Sequence, residues 1–125
     1  MELSKLFRGL IIVHFVSMVA IVMVVPVDPA YEEMPIGIID IASLIYSLLF
    51  LVSLVLLFRF KSSGRTLFAI LVIISIPLSL GIPESSIPTG SLYQTYVWFG
   101  GLLEGAMLAI IYLTSIKERF QKIEE

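Results

Sequence analysis

The chain has 125 residues, of which 58% are hydrophobic and 14% charged, with a net charge of −2 at pH 7. Soluble domains carry about 25% charged and about 45–50% apolar residues, so this composition cannot cover a water-facing surface and reads as one integral membrane domain over residues 1–125. The absence of cysteine excludes disulfides, thiol catalysis and cysteine-ligated metals, one histidine cannot build a metal site alone, and the eight Lys and Arg residues are too scattered for a nucleic-acid patch.

A hydrocarbon layer of about 30 Å is crossed by roughly 20 apolar residues as a helix. The first such run covers residues 6–25 and stops at Pro26. Lys5 and Arg8 precede it as in a signal peptide, but the run is longer than a signal core and no A-x-A-like site follows, so it is expected to be retained. The connection "VDPAYEEMPIG" carries Asp28, Glu32 and Glu33 and reads as a solvated acidic loop. The second span covers residues 36–58, with Asp40 near its start, and is followed by the basic loop "RFKSSGR". The third covers residues 66–82, and its Pro77 removes the backbone donor that the Ile73 carbonyl would otherwise receive. After "GIPESSIPTGS", with Glu84, the fourth covers residues 92–116. It opens on "SLYQ", which fits a capping box, and on Tyr93, Tyr96 and Trp98, which suit an interfacial aromatic belt. The tail "KERFQKIEE" is expected to continue the fourth helix, with Glu118 and Lys122 as an i,i+4 pair.

Lys5, Arg8, Arg59, Lys61, Arg65, Lys117, Arg119 and Lys122 all fall in the N-terminus, the second loop or the tail. Four spans put those segments on one side, and the positive-inside rule makes that side the cytoplasm. The expected fold is therefore an all-α integral membrane bundle of four transmembrane helices, N-in and C-in, in an inner or plasma membrane.

The polar groups inside these spans are the candidate functional residues. A charge in mid-bilayer costs about 2.5–3.5 kcal/mol on insertion scales, so such groups face a bundle interior or a wet cavity. Glu104 stands in the apolar run "FGGLLEGAMLAII", beside Gly101, Gly105 and Ala109, whose four-residue spacing predicts a helix-packing face. His14, Asp40 and Glu104 are the proton- or ion-binding candidates. Serines 17, 43, 47, 75 and 79 form polar stripes that either line a shared seam or bond back to their own helices. At 1.5 Å per residue, His14 lies roughly 8 Å and Glu104 roughly 17 Å from the cytoplasmic edge, with Asp40 about 6 Å below the outer edge. That stagger predicts no direct contact among them. Without a cationic partner at its level, Glu104 is expected to keep its proton and act as a hydrogen-bond donor. The segments "GIIDIASL" and "GLLEGAML" also echo each other, as a duplicated helical hairpin would.

No P-loop, dinucleotide fingerprint, HExxH or GxSxG is present, which argues against a familiar enzyme and implies no cofactor or metal. The sequence predicts a small polytopic protein without catalytic activity. It would be an accessory or assembly component, with lipid, a second copy or a membrane partner against its helices. The alternative is a proton-coupled small transporter or channel subunit, with Glu104 titrating and His14 or Asp40 as relay. Small multidrug-resistance transporters share four spans and an embedded glutamate, but they carry it on the first span, where this chain has His14 and no acid.

Overall fold

The computed structural model describes residues 2–24, 35–80 and 91–122. The loop acids Asp28, Glu32, Glu33 and Glu84, and the side chains of Ser91 and Lys122, lie outside what is described. Among the described residues five helices follow one another: α1 (Leu3–Val24), α2 (Ile38–Phe58), α3 (Ser62–Leu80), α4 (Ser91–Leu113) and α5 (Lys117–Lys122). The first four are long and apolar enough to cross a membrane. Their bounds differ from hydropathy by three or four residues at three ends. Helix α1 starts at Leu3 instead of residue 6, α3 at Ser62 instead of residue 66, and α4 stops at Leu113 instead of residue 116. Hydropathy marks where hydrocarbon length is available, whereas a helix runs on through Lys, Arg and Ser, which tolerate it well.

The basic loop shrinks to a tight turn. The Phe60 N–H donates to the Leu57 carbonyl at 2.9 Å, and the Lys61 N–H to the Leu56 carbonyl at 2.9 Å. Those two bonds are a Schellman motif, whose left-handed residue is usually glycine. Here it is Phe60, at φ 55°. The strained backbone is held because the ring is buried. One turn on, Gly64 lets α3 lie directly on α2: a Cβ there would stand 2.5 Å from the Leu56 Cβ and 2.8 Å from the Leu57 nitrogen.

Helices α2 and α3 form the most closely packed pair, α1 lies against α4 and α2, and α3 touches α4 only lightly. The start of α1, the α2–α3 turn and the end of α4 share one end of the bundle, which carries Lys5, Arg8, Arg59, Lys61, Arg65, Lys117 and Arg119. The tail does not extend α4. The Thr114 hydroxyl bonds the Ile110 carbonyl and accepts the Ile116 N–H. By ending the ladder there, these bonds let α5 turn back under the bundle, with Ile116 and Phe120 buried. Phe7, Phe60 and Phe120 form a triangle of rings with centroids 5.4–6.0 Å apart.

Burial is confined to this basic half. Among the described residues, none is buried after His14 on α1, before Phe50 on α2, after Leu71 on α3 or before Gly100 on α4. The helices are therefore packed at the basic end and splayed at the other. The outer surface carries large exposed apolar side chains on all four long helices, including Val22, Ile38, Ile73 and Leu102.

Candidate functional site

The boundary between the packed and splayed halves is polar. His14 on α1 is 2% exposed, and its Nε2 lies 3.5 Å from Glu104 Oε1 on α4. The Glu104 side chain is 24% exposed. The separation is that of an ion pair, but the ring is not aligned for a hydrogen bond, and neither His14 nitrogen has a hydrogen-bond partner.

This contact corrects the expected stagger. Because α1 begins earlier and α4 ends earlier than hydropathy implied, His14 and Glu104 stand about 16 Å and about 14 Å from the same end of the bundle. Glu104 thus has a basic partner at its own level, which the sequence reading did not place there.

The local sequence explains the approach. Gly100, Leu103, Glu104, Met107 and Ile111 recur at i, i+3, i+4, i+7 and i+11, which makes one face of α4. Gly100 is buried, and a Cβ there would meet the His14 Cε1 at 3.8 Å. Across the bundle, the Phe50 ring packs edge-on against the imidazole at 5.4 Å, with Phe68 5.6 Å beyond it.

Two tyrosines lie within electrostatic reach of Glu104: Tyr46 on α2 and Tyr96 on α4. The Tyr46 hydroxyl donates to the Leu71 carbonyl on α3 at 3.0 Å, with the Ser75 hydroxyl beside it. His14 from α1, Tyr46 from α2, and Tyr96 and Glu104 from α4 therefore make up the site, and α3 enters it through its bond to Tyr46. Sequence reasoning passed over Tyr46. The available signal was a mid-span tyrosine, whose hydroxyl needs a partner when buried. A groove of about 230 Å³ between α1 and α4 is apolar, lined by Ala20, Ile21, Val24, Leu92 and Phe99 beside Ser17, Thr95 and Tyr96, whose polar atoms do not face it.

The other sequence candidates go elsewhere. Asp40 accepts the Gly37 N–H at 2.8 Å at the start of α2, and it lies about 15 Å along that helix from Phe50, the residue level with His14. It therefore has a different role and depth from Glu104, and the echo between the two segments does not extend to their acids. The predicted face Gly101, Gly105 and Ala109 is exposed, and a Cβ at either glycine would meet nothing within 4 Å. Within the chain, the packing face of α4 is one residue round, through Gly100. The hydroxyls of Ser17, Ser47, Ser75 and Ser79 donate to carbonyls three or four residues back in their own helices.

Nothing in this site resembles a metal centre: no group of three His, Cys, Asp or Glu residues comes together among the described residues. Comparison with protein-family models, with curated proteins and with solved structures finds no match to this chain.

Proposed function

We propose that this is a small integral membrane protein that binds a proton on the His14–Glu104 pair and works as a proton-linked carrier or carrier subunit, not as an enzyme. The observation that carries this reading is the pair itself, set where the packed half of the bundle meets the splayed half. One proton makes the pair neutral overall, either as imidazolium with carboxylate or as imidazole with carboxylic acid. Hydrocarbon tolerates that state best, because isolated buried charges are heavily penalised. Adding or removing a proton leaves net charge at a half-buried site. Among the described residues, the Tyr46 and Tyr96 hydroxyls from α2 and α4 lie within electrostatic reach of Glu104. No Lys or Arg lies between Arg65 and Leu80 on α3 to hold the pair permanently in one state.

Glu104→Gln tests the assignment, since it keeps a hydrogen-bonding side chain of the same size and removes the exchangeable acid. In proteoliposomes under an imposed pH gradient, the parent is expected to carry protons above the level of empty vesicles, and Glu104→Gln to fall to that level while remaining folded. A parent protein with no flux rejects the reading.

The proposed orientation has both termini in the cytoplasm, supported by the cations collected at one end of the bundle. The chain has no native cysteine, so Ser62→Cys gives a clean reporter in the α2–α3 turn. It is expected to react with an impermeant thiol reagent only after the cells are opened. Reaction on intact cells reverses the topology.

A second reading, an accessory or assembly component, draws on the exposed Gly101, Gly105 and Ala109 face, which leaves room for a helix of another chain.

A further inference from the structure

The two ends of the bundle differ. Toward the splayed end, an apolar groove lined by Ala20, Ile21, Val24, Leu92 and Phe99 among others runs between α1 and α4. Toward the basic end, Ile11 is buried one turn below His14, and the rings of Phe7, Phe60 and Phe120 close the bottom. Two of those rings belong to the four-helix body. The third, Phe120, is brought in from outside by α5.

Helix α5 is poorly suited to hold itself in place. It has six residues, and isolated helices shorter than about 12–15 residues are marginal in water. It is joined to α4 through a break at Thr114, with short backbone bonds from Lys117 to Thr114, Glu118 to Ser115 and Arg119 to Ile116. What docks it is Ile116, Phe120 and the Arg119 guanidinium, which lies 4.3 Å over the Phe60 ring. Arg8 also lies 5.0 Å from the centre of the same ring and donates to the Phe58 carbonyl at 3.3 Å. Phe60 thus meets an arginine of the body and an arginine of the tail.

We propose that α5 is a latch: docked, Phe120 closes the basic end beneath the His14–Glu104 pair, and swinging about Thr114–Ser115 it opens that end to water. The latch gives the proton-linked reading a second, alternately opened side and rests on that reading for its purpose, though its opening is measured independently of any flux.

Ile11→Cys, in a chain without native cysteine, reports the interior between Phe120 and His14. In lipid nanodiscs, with a charged methanethiosulfonate reagent as the probe, labelling is expected to be slow in the otherwise unchanged chain. It should rise in the order Phe120, Phe120→Leu, Phe120→Ala, reaching on the order of a hundredfold for alanine, because a buried thiol reacts in proportion to the open population. Ser75→Cys, part-buried and about 20 Å along α3 from its start, against about 12 Å along α1 for Ile11, is expected to keep its rate throughout. A flat series at Ile11→Cys overturns the latch, and so does an equal rise at Ser75→Cys, which would mark general loosening. If Phe120→Ala does not fold, the step from Phe120 to Phe120→Leu decides in the same way. Opening at Ile11→Cys in a protein that carries no proton flux supports the latch and rejects the proton reading alone.

Discussion

Gly64→Ala is expected to destabilise the protein by about 1–3 kcal/mol, and Gly64→Val by more, seen as a fall in melting temperature in detergent. Two effects oppose each other. Alanine is favoured over glycine inside a helix by about 1 kcal/mol. Against that, the new Cβ would stand 2.5 Å from the Leu56 Cβ and 2.8 Å from both the Leu56 carbonyl carbon and the Leu57 nitrogen. Two of those atoms are backbone and cannot rotate away, so α3 must move off α2 along its most extensive interface, and the clash wins. Gly105→Ala is the matched control. It lies within α4 and a Cβ there meets nothing within 4 Å, so it is expected to be neutral or slightly stabilising. Equal melting temperatures for Gly64→Ala and the parent would refute the close approach.

The second large effect is expected at the buried pair. Glu104→Leu strands an imidazole that is already without hydrogen-bond partners, at a cost of about 1–3 kcal/mol. His14→Leu leaves a carboxyl without its basic neighbour and costs a similar amount. The double variant removes both polar groups and replaces them with side chains that suit the site, so it should recover much of the loss. The expected signature is a coupling energy of about 1 kcal/mol or more in the double-mutant cycle. Strict additivity would show that the 3.5 Å contact carries no energy.

Much of the fold was legible because hydrocarbon imposes a length and an apolar surface on any helix that crosses it. Four helices of that kind are present, and their basic ends coincide. Glu104 was also legible, since a carboxylate in an apolar helix has few places to go. Its partner was not. Placing His14 opposite Glu104 depends on where two helices start and stop, and the mismatch of three residues at each end was enough to hide it. The small-residue face shows another limit. Gly100, Gly101 and Gly105 crowd one sector of α4, and spacing alone does not say which of them meets α1. The course of α5 was hidden too, because an apolar-charged tail looks the same whether it runs on straight or turns back at a threonine.

The aromatic triangle also bears on how the protein is made. Chains are synthesised and begin to fold from the N-terminus. Phe7 is therefore produced before either of the rings that bury it, and it waits through α2 for Phe60 and through all four long helices for Phe120. Until then its ring sits at the basic end with nothing across from it. The nascent protein consequently passes through a stage in which every long helix can already be inserted while the basic end is still unsealed. At that stage Phe7 and Phe60 lack the third ring of the triangle, and α5 supplies it when it docks.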